Sequence, residues 1–160
     1  VEAHEKHKMA KQIEFIQNGT VIDHIKAGEA LKVLEILKLV EHIQKGRCKV
    51  MIGCNFESSR IGVKDIIKIS NGYLTQRELN QISLLAPNAS ISVIRNYKIV
   101  DKYQLSIEEE IQNVISCNNA GCITNHESMP TRFYNLNSDL LEFQCHYCEM
   151  IIEKENIQFV

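Results

Sequence analysis

Four cysteines, Cys117, Cys122, Cys145 and Cys148, fall as C-x4-C and C-x2-C with twenty-two residues between the pairs, in a chain with six cysteines in all. Two close thiol pairs presented by separate turns are the spacing of a metal site. Zn2+ takes four thiolates at about 2.3 Å in a closed tetrahedron. Iron in a rubredoxin-like site uses the same donors, and disulfides are a third arrangement. A closed set leaves no open position for water, so hydrolysis at the metal is not expected. His126 follows the first pair and His146 lies inside the second. Either could replace a cysteine, but four thiolates already fill the site, so both are expected at the surface or an interface. Cys48 and Cys54 share one face of an expected strand and should be reduced core or half-buried residues.

The remaining chemistry is less specific. Asp23-His24 has the composition of an acid-base pair, yet neighbours on a regular strand point to opposite faces, so an aligned dyad is not expected. Lys64 and Lys68 stand four apart on an expected strand with Ile66 between them, which puts both ammonium groups on one face. Lysines so placed commonly guard an exposed sheet edge. Lys102, at the end of another strand, joins them only if the strands are neighbours. Among the common motifs, G-x-G-x-x-G, G-x4-G-K-[ST], G-x-S-x-G and H-E-x-x-H are all missing, so neither the usual phosphate loops nor the usual hydrolase sites apply.

These residues need elements to position them. IEFI and GTVIDHI read as a first strand region broken at Asn18-Gly19, a turn dipeptide. From Glu29 to Val40, the positions Leu31, Leu34, Leu37 and Val40, widened by Val33 and Ile36, predict a helix with one buried face. HIQKGR leads into the strand CKVMIGC, and KDIIKI is another. Thr75 with Glu78 is a capping-box pattern opening a helix whose face is Leu79, Ile82 and Leu85 and which stops at Ala86-Pro87. ISVIRNYKIVDKY is strand material interrupted near Asn96. The order strand, helix, strand, strand, helix, strand implies a two-layer α+β domain, ferredoxin-like, with helices on one face.

A second capping pattern, Ser106 with Glu109, predicts a short acidic connector helix in SIEEEIQNVI. Beyond it, RFYNL, LEFQC and EMIIE read as short strands of a small all-β unit. A unit of that size seldom buries enough apolar surface to fold unaided, so the metal would substitute for part of a core. The expected division is therefore 1–108 and 109–160.

Composition bounds these readings. The 160 residues are 44% hydrophobic with net charge −2, a globular balance. No run approaches a membrane span, and the start, VEAHEKHKMAKQ, is polar; neither a transmembrane helix nor a signal peptide is expected, which points to the cytoplasm and to reduced thiols. Charge is divided unevenly. Residues 117–160 hold Arg132 and Lys154 against six acidic residues, or −4, whereas a zinc module that grips a phosphate backbone needs clustered Lys and Arg. A zinc-ribbon nucleic-acid-binding module is thereby disfavoured, and a generic zinc-stabilised interaction module is the other alternative.

GTVIDHI at 19–25, KDIIKI at 64–69, LLAPNASISVIRNYKIVDK at 84–102, and CNNAGCI with CHYC, in this order and spacing, resemble the regulatory chain of aspartate carbamoyltransferase. The similarity runs from about residue 13 to about residue 155. The resemblance implies a non-catalytic subunit of pyrimidine biosynthesis, with a nucleotide-binding domain followed by a zinc domain that holds the catalytic chain. It implies regulatory-chain dimers, three of which bridge two catalytic trimers in a dodecamer of six catalytic and six regulatory chains. It further implies CTP as inhibitor, ATP as activator and UTP as an aid to CTP, with no membrane or nucleic-acid partner.

Carried over by position, the effector site would comprise Ile16, Asp23, His24, Lys64, Lys68, Ser92, Ile94, Tyr97, Ile99 and Lys102. Lysines and His24 would meet phosphate, Asp23 would accept from ribose hydroxyls, and backbone near Ile16 and Tyr97 would read the base edge. Asn119 and Glu149 would face the catalytic chain. Ser92 stands where well-known members carry an asparagine, and Gly121 where they carry another.

Overall fold

The computed structural model describes residues 15–160; the polar start and the first half of IEFI lie outside the described residues. Phe15 to Asn18 are irregular, so the first described strand, β1, is Gly19–Lys26 alone. Gly19 enters it at φ 138°, where a Cβ would collide with the carbonyl oxygen of Ile69. Gly19→Ala should therefore lower stability by more than about 3 kcal/mol, because neither the backbone angle nor the facing carbonyl can yield. A thermal melt checks this, and a wild-type midpoint would refute it.

The expected single helix is two: α1, Ala30–Ile36, and α2, Leu39–Gln44, divided by Lys38 in the left-handed region at φ 52°. Its buried face also differs from the expected stripe. Ala30, Val33, Leu34, Leu37 and Leu39 are buried, whereas Leu31 is 67% and Val40 49% exposed. A strict three-residue repeat drifts around a 3.6-residue helix, so Leu31 and Leu37 cannot both centre one face. The break at Lys38 then re-aims the chain and buries Leu39 in place of Val40.

Strands β2 (Lys49–Ser58) and β3 (Gly62–Ser70) form a hairpin, and α3 (Gln76–Leu85) follows with the expected capping box between Thr75 and Glu78. A second hairpin, β4 (Ser90–Arg95) and β5 (Lys98–Gln104), turns at Asn96-Tyr97. All five strands are antiparallel neighbours in the order β2-β3-β1-β4-β5. Ile22, Ile67, Ile69 and Ile91 bury one sheet face against Val33, Leu34, Leu37 and Ile82 of the helices. Fully burying one such isoleucine contributes roughly 1.5–3 kcal/mol, so this face holds the layers together. Because β3 is interior, Lys64 and Lys68 do not guard an edge. Cys48 is half-buried, but Cys54 is exposed within a bulge in β2, where the strand leaves its original alternation.

The expected connector helix is absent. Ser106–Glu109 is irregular and Glu110–Gln112 is a strand, β6. Ile107, Ile111 and Val114 have helical spacing, but Ile111 is buried by pairing with Phe133, and Arg132 holds both oxygens of Glu110 at 2.7 and 3.0 Å. Tertiary pairing outweighs the local pattern. Strands β7 (Arg132–Asn137), β8 (Glu142–Cys145) and β9 (Ile151–Ile152) complete a second sheet in the order β6-β7-β8-β9. Its core centres on Phe133, Phe143, Ile111, Ile115 and Ile152. Among the described residues no helix is long and apolar enough to cross a membrane.

Candidate functional site

The cysteine cluster is assembled by two turns. In the first, the Cys122 amide donates to the Asn119 carbonyl at 2.9 Å, the Asn119 side-chain oxygen accepts from Gly121, and the Asn125 amide group donates to the carbonyls of Cys117 and Asn119. In the second, Glu149 takes φ 61° so that its amide returns to the Cys145 carbonyl at 3.0 Å. The four sulfurs consequently lie within 4.8 Å of one another. The sulfurs of Cys117 and Cys148 are 3.5 Å apart, and those of Cys122 and Cys145 are 3.8 Å apart. A tetrahedron with metal–sulfur bonds of about 2.3 Å has edges near 3.8 Å, so the spacing fits one metal ion. None of the six cysteines is in a disulfide.

Electrostatics points the same way. Burial pushes the Cys117 and Cys145 thiols well up. At Cys148 burial also acts upward, but hydrogen bonds from Asn119 and the Met150 backbone, with the neighbouring thiols, bring it to about 7. Crowded thiols cannot all ionise in this site without a cation to take their charge. Neither histidine joins them. His126 donates to the Ala120 carbonyl at 2.7 Å, and His146 is bonded to the Tyr134 hydroxyl at 2.8 Å.

A second constellation occupies the sheet face away from the helices. Directly opposed residues of an antiparallel sheet project to the same side, so register decides which side chains share the face. Ile67, Ile22, Ile91 and Tyr103 oppose one another on the core side. The adjacent row, Lys68, Val21, Ser92 and Lys102, therefore lies on the other side, across four neighbouring strands. Ile94 opposes both Gly19 and Ile99 in the next row of that face. The Tyr97 amide donates to the Gln17 carbonyl at 2.9 Å, which holds the β4–β5 turn beside Ile16. Ile16 is buried and Tyr97 is 66% exposed.

Asp23 and His24 depart from the regular strand. A register shift in β1 between Ile22 and Ile25, with His24 at φ 59°, is a bulge that turns the imidazole to the Asp23 side. His24 Nδ1 stands 3.8 Å from Asp23 Oδ2 and 2.8 Å from Ser90 Oγ, and Lys64 Nζ is 2.7 Å from Asp23 Oδ1. The bulge puts the two side chains on one side of the strand, against regular alternation, yet at 3.8 Å the imidazole and the carboxylate are not hydrogen-bonded and form no aligned dyad.

Burial pushes the Asp23 carboxyl up, but the Lys64 ammonium and the His24 amide outweigh it and hold the group below the ordinary range. His24 is lowered by burial and by the charges of Lys64, Arg60 and Lys102, with Asp23 acting against them. Burial likewise lowers Lys68, whose Nζ stands 5.5 Å from the centre of the Phe15 ring. Three cations are thus gathered on one face beside a neutral imidazole, an arrangement suited to an anion of several charges. Ser90 was missed from the sequence, although its i, i+2 relation to Ser92 places it on that face.

Two family models match the chain: aspartate carbamoyltransferase regulatory chain, allosteric domain, over residues 11–106, and the metal binding domain of the same chain over residues 109–158. Curated relatives carry the same name. The regulatory chain of Pyrococcus abyssi is 43% identical over 146 residues, covering 91% of this chain and 95% of the relative. That of Methanothermobacter thermautotrophicus is 43% identical over 148 residues, or 92% of each. The Bacteroides thetaiotaomicron chain is 36% identical over 152 residues, covering 95% and 97%.

Proposed function

We propose a function from one premise: this chain belongs to the family of aspartate carbamoyltransferase regulatory chains. It is a non-catalytic subunit of a pyrimidine-pathway enzyme. Its residues 1–108 bind CTP and ATP, with UTP as a third ligand, and 109–160 hold Zn2+ and dock to the catalytic chain. The two separate core clusters and the spans of the family models support this division. The order β2-β3-β1-β4 supports a ferredoxin-like allosteric domain, with β5 as an added edge strand.

The observation that carries the nucleotide reading is the aligned row Lys68, Ser92 and Lys102 beside the Asp23, His24 and Lys64 group. Phosphates are met by Lys68, Lys102, Lys64 and His24. The ribose hydroxyls donate to Asp23, and the base lies toward Ile94, Ile99 and the backbone of Ile16 and Tyr97. Calorimetry of CTP into the metal-loaded chain, with ATP in competition, tests this. Saturable binding displaced by ATP is expected, and no heat at millimolar nucleotide would overturn it.

Binding should also take up a proton. His24 is held neutral in the free chain by burial and by Lys64, Arg60 and Lys102, and a neighbouring phosphate reverses the balance of charge. A pKa raised on binding makes affinity grow as pH falls through the bound-state value. Calorimetry in two buffers of different ionisation enthalpy should therefore report uptake that disappears in His24→Gln; identical uptake in the variant would assign the proton to the nucleotide instead.

Zn2+ would be held by Cys117, Cys122, Cys145 and Cys148, where it supplies charge neutralisation and a cross-link rather than a reaction. Thereby Asn119 and Glu149, in the two turns, are presented to the catalytic chain. Regulatory dimers and a dodecamer of six and six are the assembly proposed, in the cytoplasm. Effectors act by binding two quaternary states unequally, with a coupling of about 1–3 kcal/mol. A path between the domains is supported by Leu84 of α3, which is buried in the second core, and by Arg77 Nη2, which donates to the Val160 carbonyl at 2.9 Å.

A further inference from the structure

We propose that Asp65 is the positioning residue of the ligand face, an inference that rests on the nucleotide reading above. Its side chain is fully buried on the core side of β3, next in sequence to Lys64 on the ligand side. Oδ2 accepts N–H bonds from Gly28 at 2.9 Å and Ala30 at 3.3 Å, and Oδ1 accepts one from Asn55 at 2.9 Å. These amides belong to three different elements: the turn leaving β1, the start of α1 and the distorted part of β2.

Both strands beside β3 lose register at this level. In β1 the shift lies between Ile22 and Ile25, and in β2 between Gly53 and Phe56, with Asn55 at φ 61°. Ile25 pairs directly with Asp65 immediately after the β1 bulge. A bulge is one extra residue in a ladder, and its place is determined only by what anchors the chain on either side. Gly28 at φ 90° and Asn55 aim their amides at one carboxylate, so Asp65 fastens both bulges from beneath. Three N–H bonds to a buried carboxylate are charge-assisted and directional.

The consequence appears on the opposite face. If the β1 bulge slides by one residue, the His24 ring leaves Asp23 and Ser90 and turns toward the core side, and the Asp23 to Lys64 contact loses its alignment. Asp65 touches none of these side chains. It decides which side of the sheet they occupy.

The test uses the full metal-loaded chain and the isosteric Asp65→Asn, whose amide group meets N–H donors where a carboxylate accepted them. CTP affinity should fall at least tenfold. In the nucleotide-free variant, the His24 ring resonances should shift and its titration midpoint should move toward that of an ordinary histidine, while metal content stays at the wild-type level. Wild-type affinity and an unmoved His24 spectrum, with only a lower melting temperature, would overturn the proposal.

A second measurement needs no variant. Saturating CTP should slow amide hydrogen exchange at Gly28, Ala30 and Asn55 several-fold, although the nucleotide lies across the sheet from them. Unchanged exchange at all three would overturn the proposal even if Asp65→Asn fails to fold. If the wild-type chain binds no CTP, the nucleotide reading fails by itself, and the His24 spectrum of Asp65→Asn still decides the positioning role.

Discussion

Cys145→Ser is expected to lose the metal and, with it, the fold of residues 109–160. Cys145 is completely buried, and three of the four cysteines lie inside the second core beside Phe133 and Phe143. A single core in a unit this small rarely supplies more than about 3–5 kcal/mol, whereas structural zinc in comparable small sites contributes an apparent 10–16 kcal/mol, roughly, at pH 7. Losing one of four ligands therefore removes more than the apolar contacts can replace. Metal analysis should fall from one ion per chain to none. Amide spectra should lose the dispersed signals of β6 to β9 while those of β1 to β5 persist, and binding to the catalytic chain should vanish. Retained dispersion around Phe133 and Phe143 in metal-free protein would refute the dependence. An ordinary core substitution differs in that it lowers stability without releasing an ion.

The second large effect concerns the other unit. Lys68→Ala and Lys102→Ala should each weaken CTP binding about tenfold to a hundredfold, with zinc content and assembly unchanged. The range follows from about 1.5–3 kcal/mol for a hydrogen bond involving a charged group. The two lysines share one row, with β1 and β4 between them, or about 14 Å from backbone to backbone at ordinary strand spacing. Long side chains converging above Val21 and Ser92 can meet one polyphosphate from both sides. In the double variant the losses should be less than additive if both contact the same phosphate group, because the first removal already loosens it. Calorimetry of the four-member cycle measures this. An affinity unaltered in both single variants would move the nucleotide off this face, and a loss of zinc in either would break the proposed separation of roles.

Particular residues show where local reading succeeds. Thr75 and Glu78 satisfy each other's backbone amides within one turn, so the start of α3 is legible from four residues. Asn96 and Tyr97, both at positive φ, make a turn between two strands just where the apolar alternation stops. The four cysteines are legible for a related reason, since the C-x4-C and C-x2-C turns are each short enough to bring their own two thiols together. The capping pattern of Ser106 with Glu109 points to a connector helix, yet β7 offers Ile111 and Glu110 a strand partner that no local window contains.

Function was legible in part. The ordered motifs carried the family resemblance, and the family comparisons agree with it over most of the chain. What the motifs could not convey was why Asp23 and His24 share a face, or why Lys64 and Lys68 are interior to the sheet and not guarding its edge. Those facts depend on a bulge and on strand order.

The residues alone reveal a two-part chain, the cap at Thr75, the turn at Asn96 and a four-cysteine set with metal spacing, because the cap, the turn and each cysteine pair are decided by neighbours within a few residues. That Lys68, Ser92 and Lys102 form one row, that His24 turns beside Asp23, and that Asp65 ties three elements together beneath them follow instead from strand order and register. Register across a sheet is settled by the burial of Ile22, Ile67 and Ile91 against helices far away in the chain, and a slip of one residue would carry every polar group to the other face.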